Sequence, residues 1–175
     1  MNSIVRHIIG YTIGGTLFFI LIPLGFFKLA KFDYLLNNTP LISSNIVRYL
    51  LSSIIFIIGI IFALWSNFFL LSFGKGGPTE GFGVAISPQT KKLVTTGPYR
   101  YSRNPMVFGA LSIYTSIVVY SNSLVALLCL IVFIFLAVTY LKFSEEKRLI
   151  KDFGSDYLDY KKKVSIIVPL KRYKM

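Results

Sequence analysis

Two short clusters carry most of the reactive chemistry in this chain. The first is Gly97-Pro98-Tyr99-Arg100-Tyr101-Ser102-Arg103-Asn104-Pro105, running on to Gly109, and the second is the acidic pair Glu145-Glu146. Guanidinium and amide groups in a Pro-flanked turn offer donors in fixed directions. A helix beginning at Pro105 or just after it adds free backbone N–H groups for an anion. Carboxylates at the end of a membrane span suit ribose hydroxyls, an ammonium or a sulfonium. The thirty-six uncharged residues from Met106 to Leu141 lie between the clusters, divided by Ser121-Asn122-Ser123. A tight helical hairpin there returns Glu145-Glu146 to the side of Arg103 and Asn104. Arginines and tyrosines at a membrane edge also serve as lipid anchors. The rigid turn and the meeting of two distant polar clusters favour binding over anchoring.

Other catalytic devices have little to work with. His7 is the only histidine and Cys129 the only cysteine, the latter inside an apolar run. That rules out a disulfide framework or a CxxC site, leaves His7 no second histidine for zinc, and argues against a histidine-based triad. Gly74-Lys75-Gly76 and Gly81-Phe82-Gly83 each resemble part of a nucleotide loop. Neither completes GxGxxG or sits between a strand and a helix, so both read as loop, with a lid role open.

The elements that must position these residues are membrane helices. Hydrophobic residues make up 54% of the 175 and charged residues 15%, with mean hydropathy +0.67, which describes an integral membrane protein of one domain. Ile8 to Phe27 and Tyr49 to Phe73 are uncharged runs of twenty and twenty-five residues. At ~1.5 Å per residue each crosses a ~30 Å hydrocarbon core. The first has no cleavage-type ending and reads as a retained helix, with Gly10 and Gly14 as a weak packing motif and Pro23 as a kink. Asp33 to Asn45 reads as a polar loop. The stretch from Gly74 to Thr96 reads as a longer one, with a short strand-like or amphipathic piece around Lys92 to Thr95. Met106 to Tyr120 would rise only ~22 Å, which draws Arg103-Asn104-Pro105 towards the membrane interface. Beyond Leu141 the chain is highly charged. Phe153-Gly154 reads as a break before an amphipathic segment, Ser155 to Lys163. Its Tyr157 and Leu158, with Val164 just beyond, are expected to rest on the membrane while Lys161 to Lys163 face phosphates.

The fold class is therefore all-α: a polytopic membrane helix bundle of about four spans with a cytoplasmic C-terminal amphipathic segment. Residues 1–73 supply two N-terminal spans, and 74–175 the loop, the hairpin and a closing segment. One Lys or Arg precedes the first span, five lie between spans two and three, and ten follow from Lys142, against only Lys28, Lys31 and Arg48 elsewhere. The positive-inside rule then places both termini and both clusters in the cytoplasm. The net charge of +12 is distributed between and beyond apolar runs, which argues against a nucleic-acid partner.

From Leu93 to Pro169 the chain resembles the isoprenylcysteine carboxyl methyltransferase and phospholipid methyltransferase superfamily of membrane enzymes. The resemblance rests on the order and spacing of several pieces. They are Leu93-Val94-Thr95-Thr96-Gly97-Pro98-Tyr99, Arg103-Asn104-Pro105, Glu145-Glu146, Leu149, Phe153-Gly154, Tyr157, Tyr160 to Val164, and Pro169. It implies an S-adenosylmethionine-dependent methyltransferase without a soluble domain. The cofactor would lie in a cytoplasmic pocket closed by the C-terminal segment, and a lipophilic substrate would enter from the bilayer. Carried over by position, Leu93, Val94, Tyr99, Asn104, Pro105 and Glu145 with Glu146 would line the cofactor site. Lys91 and Lys92 would approach the cofactor carboxylate. No metal is implied.

Two departures bear on the acceptor. The family often has His where Asn104 stands, and Asn cannot change charge near neutral pH. Isoprenylcysteine enzymes hold the substrate carboxylate with an arginine shortly before the acidic pair, where this chain has Leu141 and Lys142. Methyl transfer from a sulfonium needs alignment and exclusion of water more than a base, and Arg103 is the residue expected to orient an anionic substrate or the cofactor carboxylate. The acceptor stays open among a prenylated thiol acid, a phospholipid amine and a small thiol. The alternative activity is an NADPH-dependent membrane reductase of the steroid 5α-reductase type, similar in its C-terminal half. A non-catalytic membrane scaffold is a third reading.

Overall fold

A computed structural model describes residues 3–36, 39–74, 80–81, 84–85 and 90–169. Six α-helices account for most of them: α1 (Ser3–Thr16), α2 (Ile22–Ala30), α3 (Asn45–Phe69), α4 (Pro105–Ser121), α5 (Leu124–Tyr140) and α6 (Glu146–Lys163). Wider π-helical turns at Leu17–Leu21 and Leu141–Glu145 join α1 to α2 and α5 to α6, and a third, Leu70–Gly74, ends α3. Three helical stretches are long and apolar enough to cross a membrane: Ile8–Ala30, Asn45–Gly74 and Leu124–Lys163. At 17 residues, α4 is the shorter apolar helix expected from the hairpin. The protein is an all-α integral membrane bundle. The exposed Ile57, Ile61, Leu64 and Phe68 on α3, and Phe135 and Leu136 on α5, leave apolar faces for hydrocarbon.

Local chemistry explains the boundaries. Ser44 and Ser123 cap α3 and α5, their hydroxyls accepting from the N–H groups of Val47 and Ala126. Pro105 occupies the first turn of α4, where its missing N–H costs nothing. Asn122 ends α4 in the left-handed region (φ 54°), and its side-chain amide exchanges two hydrogen bonds with the backbone of Ile42 (2.9 and 3.0 Å). Asp33 accepts from the Ser123 hydroxyl and the Val125 N–H, tying the first loop to the start of α5. Pro23 acts through the π turn ahead of it. The Ile22 N–H bonds back to Leu17, so the next acceptor in that register is Phe18, whose donor would be the N–H that Pro23 lacks. The Phe18 carbonyl is satisfied instead by the hydroxyl of Tyr114 on α4, at 2.9 Å.

The bundle is organised around the crossing of α3 and α4. A Cβ on Gly109 would lie 2.7 Å from the Ala63 nitrogen and 2.8 Å from the Gly59 carbonyl. A Cβ on Gly59 would lie 2.9 Å from the Gly109 carbonyl. The backbones touch because small residues line the contact, Ser52, Gly59, Ala63 and Ser66 all being buried on α3. Beside this seam, Phe26, Tyr114 and Phe133 join α2, α4 and α5 through ring contacts of 5.6 to 6.1 Å.

Two expectations are corrected. No strand forms around Lys92 to Thr95; the two-residue strands β1 (Glu80–Gly81) and β2 (Val84–Ala85) lie upstream. The segment after Gly154 does not rest on the membrane through Tyr157 and Val164. Both are buried, and they form a cluster with Tyr160 against Leu93, Leu149, Ile150 and Phe153. Leu158 alone of that trio is exposed. The break at Gly154 is present, with φ 54° and ψ −128° inside α6. Much of the glycine-rich loop lies outside the described residues, as does the side chain of His7.

Candidate functional site

The turn before α4 is held from both sides. Gly97 adopts φ +59°, and a Cβ there would meet the Phe69 ring at 2.5 Å, so α3 fixes the entry to the turn. Gly97–Arg100 forms one turn of 3-10 helix with Pro98 and Tyr99 buried. The C-terminal segment clasps the other side. The Tyr160 hydroxyl donates to the Tyr99 carbonyl at 2.6 Å. The Arg103 N–H donates to the Ser165 carbonyl at 2.9 Å, and the Asn104 N–H to that of Ile166 at 3.1 Å. The Asn104 side chain donates to the same Ile166 carbonyl at 3.0 Å. Asn104 is thus a tether between the turn and the closing segment.

Charge completes the clasp. The Arg103 guanidinium pairs with Oε1 of Glu146, while Lys161 Nζ lies 2.6 Å from Oε2 of the same carboxylate. Glu146 and Arg103 are buried; Lys161 is partly exposed. The π turn Leu141–Glu145 sets the rotation at which Glu146 enters α6. The reversal at Gly154 then brings Lys161 back over it. Tyr157, one turn before Lys161, sits beside this cluster. Burial, with the nearby Glu146 carboxylate opposed in part by Arg103, pushes its phenol up to about 12. Burial first, then Glu145 and Tyr11, raises the Tyr99 phenol still further. Both tyrosines are neutral hydrogen-bond donors at ordinary pH, and neither is a general base.

The structure pairs Arg103, from the turn that also carries Tyr99, Asn104 and Pro105, with Glu146 of the acidic pair, the side to which the hairpin was expected to return it. Glu146 has both oxygens engaged by cations, and the charge of the neighbouring Glu145 adds to the burial that raises the Tyr99 phenol. Leu93 packs on the Tyr157–Tyr160–Val164 cluster, and Val94 is buried against Gly74. Lys91 and Lys92 are exposed at the edge, the Lys91 N–H bonding the Gly74 carbonyl at 2.9 Å. Sequence reasoning missed Lys161 as an ion-pair partner and Ser165–Ile166 as acceptors. It also missed the stripe Glu146, Leu149, Ile150, Phe153, Tyr157, Tyr160, whose helical spacing was available to be read.

Polar donors remain inside the clasp. The Arg103 Nε and the Tyr157 hydroxyl are buried without a hydrogen-bond partner among the described residues. Buried donors of this kind are costly unless an acceptor reaches them. Tyr157 and Arg103 lie beside one another, so these donors mark a polar interior to the clasp. The bundle and its clasp thus define a helical membrane protein with a buried polar cluster at one end of its spans. Residues 47–156, more than half the chain, match the family model described as phospholipid methyltransferase, and the chain belongs to that family. The family lies within the isoprenylcysteine carboxyl methyltransferase-like superfamily, and the protein is a membrane methyltransferase. The match begins in the first turn of α3, so the family pattern extends further towards the N-terminus than Leu93. Nothing favours the reductase alternative. No curated protein and no solved structure matches the chain.

Proposed function

We propose that the chain transfers the methyl group of S-adenosylmethionine to a nucleophile carried by a membrane lipid, with the clasp and both termini in the cytoplasm. The observation that supports this reading is the clasp itself, in which Arg103, Glu146 and Lys161 form a charge cluster and Asn104 is tied to the closing segment, in a chain that matches the family model. When bound, the cofactor supplies an electrophilic methyl on a sulfonium. Glu145 would accept hydrogen bonds from its hydroxyls or ammonium, and the exposed Lys91 and Lys92 would meet its carboxylate at the edge. Leu93, Val94 and Pro105 give an apolar wall that excludes water.

Arg103 takes a different part from the one expected for it. Its pairing with Glu146 makes it a positioning residue that holds the turn against α6. Arg100, in the same turn, has a buried Nε without a hydrogen-bond partner among the described residues and is the cation open to an anionic group of a ligand. The acceptor class in keeping with the family match is a lipid amine. A neutral lipid amine would form the new N–CH3 bond as the S–CH3 bond breaks and the sulfonium leaves as a neutral thioether, and its surplus proton would pass to water, so the task left to the chain's residues is alignment.

The test is saturable binding of S-adenosylmethionine to the purified protein in nanodiscs, followed by transfer of labelled methyl into extracted lipids. Glu145→Ala and Asn104→Ala should each weaken binding at least tenfold. A folded wild-type protein that binds no S-adenosylmethionine sinks the proposal.

A further inference from the structure

A second site lies at the opposite end of the bundle. A cleft of about 660 Å³ opens between α2, α3 and α4, lined by Phe19, Phe27, Phe56, Ile57, Ile117 and Tyr120 among others. Its size is that of a small-molecule site. The polar atoms in its wall are largely spent: Ser52 and Ser116 donate their hydroxyls to the carbonyls of Tyr49 and Ile113 on their own helices. Its interior therefore suits hydrocarbon.

The rim is different in character. Tyr120 closes the cleft and is clasped by Phe27 and Tyr49, with ring centroids 6.4 and 5.8 Å away. Each clasping ring adjoins a cation in sequence, Lys28 after Phe27 and Arg48 before Tyr49. Arg48 lies over the Tyr49 ring at 4.6 Å and donates to its hydroxyl at 2.8 Å, while its Nε is buried without a partner. The acid placed in this region, Asp33, is engaged by Ser123 and Val125. An apolar slot within the membrane-spanning helices, rimmed by aromatic rings and by Arg48, which has no acidic partner among the described residues, is complementary to an anionic amphiphile.

We infer that this cleft holds one acyl chain of a phospholipid, with the phosphate against Arg48. The Arg103–Glu146 clasp lies at the far end of α3 and α4, so this lipid is not the methyl acceptor. It fills the gap between α2 and α3 and pins both against α4. The inference does not depend on the proposed methyl transfer.

Native mass spectrometry of the detergent-purified protein, with dipalmitoyl phosphatidylglycerol as the probe, tests it. One lipid should be retained by the wild type, and hexadecanol or inorganic phosphate should not displace it at equal concentration. Arg48→Gln should weaken retention about tenfold. Ser53→Trp or Ile57→Trp, which put an indole into the cleft from exposed positions, should abolish it. Retention unchanged in both tryptophan variants overturns the inference. Retention unchanged in Arg48→Gln overturns the headgroup assignment. A protein dimer that falls apart in Ser53→Trp and carries no lipid shows that a second copy fills the cleft, which also overturns it.

Discussion

Glu146 shows how one carboxylate joins separate parts of the chain. It faces Arg103 from the turn before α4 and Lys161 from beyond the Gly154 break, and these two cations differ in what they lose when it goes. The Arg103 side chain is 9% exposed and cannot rehydrate in place, whereas that of Lys161 is 39% exposed and can turn to water. Removing one partner of a buried pair costs roughly 3–5 kcal/mol, and of a partly exposed pair about 1 kcal/mol or less. Glu146→Ala is therefore expected to destabilise the protein by roughly 3 kcal/mol, and Lys161→Ala by about 1 kcal/mol or less. Denaturant unfolding followed by Trp65 fluorescence compares them; equal losses would show that the buried arm carries no special weight. The acidic pair was legible in the sequence as a pair, but its division of labour was not. Adjacent residues on a helix point about 100° apart, and which one meets Arg103 depends on the π turn just before them.

The elements owe their arrangement to the contact of α3 with α4. Gly59, Ala63 and Gly109 let two backbones meet without intervening side chains, and the atoms nearest an added Cβ at Gly109 are all backbone. Such atoms cannot step aside, so Gly109→Ala must push the helices apart. A loss of roughly 2 kcal/mol or more is expected, in the range of overpacked core sites. Gly15→Ala on α1 is the control, because nothing lies within 4 Å of the added methyl. That substitution should be neutral or stabilising by up to about 1 kcal/mol, the helix-propensity difference. Thermal melts of the two variants in one detergent check the contrast, and equal effects would place the constraint elsewhere. Pro105 begins the turn of α4 just before Gly109, so the Gly109 variant should also weaken S-adenosylmethionine binding by displacing Asn104. The seam was open to sequence reading as a small-residue stripe on α3. The Gly10–Gly14 pair, which has the spacing of a packing motif, lies on α1 and takes no part in this seam.

At the scale of the whole molecule, the C-terminal segment closes the structure onto itself. Val164 completes the tyrosine cluster, Ile167 enters the main core, and the Ser165 and Ile166 carbonyls receive the N–H groups of Arg103 and Asn104. Ending the chain after Lys163 should leave the spans helical while releasing the turn. Trypsin is then expected to cut after Arg100 and Arg103 at least tenfold faster than in the full chain, with circular dichroism unchanged. Equal cleavage rates would mean that α3 alone, through Phe69 and Gly97, holds the turn.

The sequence by itself determined the membrane class, the span lengths, the hairpin and the two clusters that meet at its open end. Hydropathy, charge and helix punctuation are local properties, and a hairpin leaves only one end at which Arg103 and Glu146 can come together. The tertiary structure decided the rest: the α3–α4 seam, the burial of Tyr157 and Val164 against Leu93, the Arg103–Glu146–Lys161 cluster, and the cleft beneath Tyr120. Those features depend on rotation about helix axes. Three π turns and the positive φ of Gly154 reset that rotation, and no local propensity records it.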